Sequence, residues 1–250
     1  MNIRIKLNSL KFSITNHICH VLLRTIQKDE RQSFIAMFHD VVSQSENAQD
    51  NYTCTEKEYV QFIEKIKQLG FDIVSLDSLL ECPHKYQMKK KVVISFDDGF
   101  SSTYSFVNRY MTSKGLPYIV YVNTSLLNTP GYINSKQLKE MASNPFCTIG
   151  MHAHEHIPYY SVPDEKLRLD YKICDKIITE ITGKRPEHYA FPYGSVNSCS
   201  FRNCNVIQHL GVKSIAMTLP IKITLTSLRR PFYLPRINIP SYFRGGQIND

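Results

Sequence analysis

Three times along this chain a short apolar run breaks off into polar residues at the point where a buried strand would end. Val92-Val-Ile-Ser-Phe96 runs straight into Asp97, Asp98 and Gly99. Cys147 to Met151 runs into His152-Ala-His-Glu-His156, and Tyr189-Ala-Phe191 into Pro192, Tyr193 and Gly194. Short β-prone runs bounded by turn formers read as buried strands. Polar residues at the C-terminal ends of such strands lie where α/β folds place their chemistry.

Helix and strand signals alternate between these runs. Thr55 with Glu58 forms a capping box ahead of Tyr59, Phe62, Ile63 and Ile66, and Gly70 stops that helix. Residues 71–74 read as a strand, 101–114 as a helix closed by Gly115, and 118–122 as a strand. A further helix starts near Ser135. Pro163 opens the longest helix, with Leu167, Ile173, Ile177 and Ile181 on its apolar side and Gly183 past its end. Residues 201–210 and 213–217 repeat the unit. The alternation predicts an α/β chain: a single distorted (β/α) barrel of about seven parallel strands, with its site at the C-terminal rim. A chain of 250 residues buries one sizeable core, so one domain over 33–250 suffices.

Asp-Asp-Gly alone also writes an ordinary surface turn. The histidines decide against that reading. Three of the chain's nine fall at 152, 154 and 156. His152 and His156 are spaced to share one face if the segment turns helically, and two imidazoles with one carboxylate suit a divalent ion that keeps open positions. An aromatic-proline-glycine string is weak evidence by itself.

The order Asp-Asp-Gly, His-x-x-x-His, Phe-Pro-Tyr-Gly resembles the polysaccharide deacetylases of the NodB-homology group, which hydrolyse acetyl groups from sugars. The resemblance implies Asp97 as general base, Asp98, His152 and His156 as metal ligands, and Pro192, Tyr193 and Gly194 as substrate-binding wall and oxyanion backbone. It also implies a divalent cofactor, Zn2+ first, with Co2+, Ni2+ or Mn2+ as alternatives. Three departures stand out. Ala153 replaces a loop-bracing hydroxyl. The third motif lacks the arginine that orients the base, for which Arg236 in Leu234-Pro-Arg-Ile-Asn-Ile239 offers a substitute. The late Leu-x-His is absent, and residues 35–41 resemble the early Tyr-His of the circularly rearranged poly-N-acetylglucosamine deacetylase branch, which makes His39 the acid candidate.

The expected activity is metal-dependent removal of acetyl groups from N-acetylated sugars of a cell-envelope, capsule or O-antigen polysaccharide. Two alternatives stay open: a deacylase of a lipid-linked sugar at the inner membrane face, and a glycan-binding relic without turnover. The formal charge of +8 favours anionic surroundings. The basic residues are scattered and no nucleic-acid-binding pattern occurs, so nucleic acid is not an expected partner. Seven cysteines without Cys-x-x-Cys spacing point to a reducing compartment. Residues 1–32 form a basic amphipathic segment without a signal-peptide core. The expectation is a cytoplasmic protein whose N-terminal segment packs on the barrel, with peripheral contact to an anionic membrane as the alternative.

Overall fold

The computed structural model describes residues 33–43, 50–81 and 90–243; the basic amphipathic segment 1–32 lies outside them. In chain order the elements begin β1 (Phe34–Phe38), β2 (Asp40–Val42), β3 (Thr53–Thr55), α1 (Glu56–Gln68), β4 (Asp72–Ile73), α2 (Leu76–Glu81) and β5 (Lys91–Phe96). A π-helical stretch, Thr103–Asn108, leads into α3 (Arg109–Ser113). Then come β6 (Tyr118–Val122), α4 (Ser135–Ala142), β7 (Cys147–Met151), α5 (Asp164–Thr182), β8 (His188–Ala190), α6 (Phe201–Gln208), β9 (Ser214–Ala216), α7 (Leu225–Arg229), β10 (Ile237–Asn238) and α8 (Pro240–Phe243). No helix among the described residues is long and apolar enough to cross a membrane.

The main sheet runs β10-β1-β5-β6-β7-β8-β9, with β4 paired to the start of β5. Every pairing in it is parallel. One short segment joins its two ends. Leu234 N–H donates to Ile215 O at 2.9 Å, and Met217 N–H to Leu234 O at 2.8 Å. Across Pro235, which has no N–H to give a ladder, Ile237 pairs instead with Ala36 of β1. The barrel expected from the alternation is therefore closed at a seam, and Arg236 sits on it.

Period-two alternation sorts the strand residues. Val92, Ile94, Phe96, Val120 and Ile215 belong to the larger cluster shared with the helices. Val93, Ile119, Tyr121, Ala190 and Ala216 belong to a smaller one inside the barrel, where Leu76 and Leu79 of α2 join them. On the outer face Phe38 packs on Tyr59 at 5.1 Å, Phe62 at 5.4 Å and Phe96 at 5.5 Å. Burying each such ring contributes about 1.5–3 kcal/mol and each aromatic pair a further ~0.5–1.5 kcal/mol. That outweighs the capping box of α1, about 1 kcal/mol, in which Thr55 Oγ1 accepts from Glu58 N at 3.1 Å. Packing more than helix signals thus fixes the β1–β5 pair whose ends carry the site. The segment 101–114, expected as one plain helix, is π-helical over its first turns, and Ser102 in front of them donates to Asp40 Oδ1 at 2.6 Å.

Inside the barrel, space is tight at β7. A Cβ on Gly150 would stand 2.6 Å from Tyr121 Cδ1 and 3.1 Å from the His188 carbonyl oxygen. Gly150→Ala is expected to destabilise the fold by about 1–3 kcal/mol through overpacking, measured as a lowered denaturant midpoint. An unchanged midpoint would show that Tyr121 moves aside freely.

Candidate active site

The two adjacent carboxylates part company because the chain turns between them. Asp97 is still in the sheet, its N–H donating to Phe38 O at 3.0 Å. Asp98 then takes φ 69° and Gly99 φ 80°, a left-handed turn that aspartate tolerates better than most residues and glycine freely. One carboxylate stays inside the barrel and the other is turned toward the loop after β7.

Asp97 meets Arg236. The guanidinium Nη1 donates to Oδ1 at 2.5 Å and Nη2 to Oδ2 at 2.7 Å, a bidentate pair with both residues buried. Arg236 Nε also donates to Met217 O at 3.3 Å, and its guanidinium carbon lies 5.1 Å from the centre of the Tyr121 ring. Burial would raise the Asp97 pKa, but the guanidinium, helped by His152, brings it below the ordinary carboxylate value. The seam of the barrel thus brings a guanidinium against Asp97.

His152 continues β7, its N–H donating to Val122 O at 2.9 Å. Its Nδ1 lies 2.9 Å from Ala190 O, so Nδ1 carries the proton and the Nε2 lone pair faces the site. Burial lowers its pKa, which keeps the ring neutral. No helical turn forms between the two histidines. Residues 152–156 make a bent loop in which Ala153 has φ 62°. His156 still returns: its Nε2 is 3.3 Å from Asp98 Oδ1, and His152 Nε2 is 3.4 Å from the same atom. Ligand atoms of Asp98, His152 and His156 lie within 4.8 Å of one another. Asp98 Oδ1 is buried without a hydrogen-bond partner, so a divalent cation fits this donor set. Burial pushes the Asp98 carboxyl up, while His156, His152 and His39 pull it down further, to about 2. His154 turns away, its Nδ1 3.0 Å from Thr124 Oγ1.

The bent loop has a support that the sequence reading missed. Asp170 of α5 is buried and accepts from the main chain twice, His154 N to Oδ1 at 2.9 Å and Glu155 N to Oδ2 at 2.6 Å. Hydrogen bonds to a charged group contribute about 1.5–3 kcal/mol each, against roughly 1–2 kcal/mol for a left-handed alanine. The bonds win. The available signal was an acid on the apolar face of the helix, among Leu167, Tyr171, Cys174 and Ile178.

The cavity over these groups is lined by Asp97, Asp98, His152 and His156 together with His39, Tyr52, Phe100, Tyr193 and Thr218 among others. His39 reaches it from the end of β1, its ring 4.9 Å from Tyr52. Its Nδ1 is buried with no hydrogen-bond partner, and burial lowers its pKa despite Asp97 and Asp98. Tyr193, exposed and at φ 61°, sets its ring 4.7 Å from His156. Pro192 and Gly194 are buried and lie outside the cavity lining. Gly194 instead lets the chain approach β9: a Cβ there would be 2.6 Å from Thr218 N.

The sequence profile of the polysaccharide deacetylases matches residues 84–215. No curated protein gives a significant sequence match. Among solved structures, IcaB from Ammonifex degensii superposes with TM-score 0.71 at 16% identity, over 82% of this chain and 91% of that one. The Streptococcus pyogenes deacetylase PplD in complex with acetate gives 0.72 at 18%, over 82% and 91%. The BpsB deacetylase domain of Bordetella bronchiseptica gives 0.68 at 18%, over 84% and 96%. At these identities the likeness is one of fold.

Arg236→Gln is expected to cost about 3–5 kcal/mol at neutral pH, since it leaves a buried carboxylate unpaired. The pairing lowers the pKa of Asp97, so the stability it contributes is present above the ordinary carboxylate range and lost as pH falls below it. The gap between wild type and variant should therefore shrink on acidification, read from denaturant midpoints between neutral and acid pH. A gap that widened would contradict the pairing.

Proposed function

The chain belongs to the polysaccharide deacetylase family, and we propose that it hydrolyses N-acetyl groups of a cell-envelope, capsule or O-antigen polysaccharide. The observation that carries this reading is the pairing of two differently held acids: Asp98 turned to His152 and His156, and Asp97 locked to Arg236. Asp98, His152 and His156 would hold a divalent cation, zinc in our reading, which supplies a Lewis acid for the acyl carbonyl and a lowered pKa for the attacking water.

The chain's own groups then have separate tasks. Asp97, kept ionised by Arg236, accepts the proton of the water whose oxygen adds to the acyl carbon. Its orientation is fixed before substrate arrives. His39, across the cavity, gives a proton to the sugar nitrogen as the carbon–nitrogen bond breaks, leaving acetate and a free amine. A pKa lowered by burial makes it a readier donor, at the cost of a smaller protonated fraction at neutral pH. Tyr193 at the mouth offers a ring face for the sugar, and its backbone is our choice for oxyanion contact. His39 and Arg236 both lie outside residues 84–215, so the acid and the base-orienting cation flank the matched span. The intact acids and histidines speak against a relic without turnover. The +8 charge keeps a lipid-linked, phosphate-bearing sugar as the second reading of the substrate.

Acetate release from a panel of acetylated oligosaccharides and lipid-linked sugars tests the reading. Chelation should abolish release and an added divalent ion restore it. His152→Ala and Asp98→Ala should lose both metal and activity, while His154→Ala keeps both. Full metal in the His152 variant would show that the wrong histidine pair has been chosen.

Asp97→Asn should retain metal and lose activity by on the order of 10²–10⁴-fold. The loss in His39→Ala should depend on the leaving group: severe for an N-acetyl sugar, whose amine needs a proton to depart, and mild for an aryl acetate, whose phenolate leaves unaided. Equal losses on both substrates would remove His39 from the mechanism.

A further inference from the structure

The loop that returns His156 to Asp98 is fixed from outside the site. Met151 ends β7, and within five residues the chain must bend away and bring a second imidazole back. Beside an exposed ion pair of Glu155 with Lys166 at 3.0 Å, several contacts reach the main chain or the unused histidine of this bend. Asn123 Nδ2 donates to His152 O at 3.2 Å, and Tyr159 OH to Glu155 O at 3.0 Å. Thr124 Oγ1 meets His154 Nδ1. Among the described residues only Asp170 takes hold of two consecutive amides of this bend, one with each carboxylate oxygen, and these amides lie midway between the two histidines that face Asp98.

We propose that Asp170 is a positioning residue for the cation site: its carboxylate sets the bend of residues 153–155 and so the angle at which His152 and His156 approach a shared ion. The proposal rests on the cation-binding reading of Asp98, His152 and His156. The chemistry requires two acceptors on one rigid group. An asparagine at 170 would offer one oxygen and turn an NH2 toward the second amide, donor against donor. Glutamate keeps both acceptors and displaces them by one methylene. Neither change touches a ligand.

The test is the affinity of purified full chain for Co2+, measured by competition against a chromophoric chelator, with the visible spectrum of the bound ion as a second readout. Outer-shell partners of metal ligands typically govern 10–100-fold in affinity. Asp170→Asn should weaken Co2+ binding by about that factor and shift the spectrum, and Asp170→Glu should recover part of both. Thr124→Val, which alters the same loop without touching its amides, should bind as wild type does. Folding of each variant is checked by far-ultraviolet circular dichroism of the metal-free protein. Wild-type affinity and spectrum in Asp170→Asn, even with a lowered melting point, would reduce Asp170 to a structural contact and overturn the proposal. Loss of affinity in Asp170→Asn with no recovery in Asp170→Glu would also overturn it, since any disturbance of the helix would then suffice. A wild-type protein that binds no divalent ion would bring down the cation reading itself, and this inference with it.

Discussion

The pair of Asp97 and Arg236 is the interaction on which the remaining arrangement depends. Two opposite charges buried together are tolerable only while both are present and well oriented, and here one comes from an interior strand and the other from the seam of the barrel wall. Asp97 stands at the end of β5, in the middle of the sheet, and Arg236 stands on the seam segment that ties β9 to β1. The bidentate contact therefore fastens the closure of the barrel and aligns a carboxylate in one act. The support extends downward: Arg236 rests on the ring of Tyr121, and that ring occupies the space left by a missing side chain at Gly150. A glycine in the third strand from β1 along the sheet thus helps decide where an acid points.

The second constraint is conformational. The chain leaves β5, β7 and β8 through residues with positive φ that are not glycine: Asp98, Ala153 and Tyr193. Such residues are uncommon and are kept where surrounding contacts over-determine them. Each abrupt turn lets neighbouring side chains diverge, so that Asp97 and Asp98 serve different partners and Tyr193 reaches the mouth while Pro192 and Gly194 stay behind it.

Much of this was legible in the sequence because the information was local. Apolar runs ending in Asp97-Asp98 and His152 specify strand ends, and strand ends in a parallel sheet converge. The capping box at Thr55 and Glu58 and the stop at Gly183 are likewise contained within a few residues, and both form as read. What the sequence concealed is long-range or conformational. Arg236 could be named from the sequence as a substitute arginine, but the seam that carries it to Asp97 and the bidentate geometry of that contact could not be read there. Asp170 looks like an ordinary helical acid unless its place on the apolar stripe is weighed. The spacing of His152 and His156 suggested a helical turn, but the amides captured by Asp170 hold a bent loop instead. The convergence of the imidazoles was foreseen and its route was not.

The seam carries a consequence for how the protein is made. Domains gain their structure as the chain is synthesised from the N-terminus, and Arg236 lies far along it, after every other group of the site. Until the segment around Pro235 docks, the cylinder is open and Asp97 faces its interior without a counter-ion. A nascent chain therefore carries both acids, and both histidines that face Asp98, before the guanidinium that pairs with Asp97 is made. Of the groups of this site, the one synthesised last is the one that makes the earlier charges bearable, so a chain truncated short of Arg236 lacks both the closing strand β10 and the guanidinium its buried acid requires.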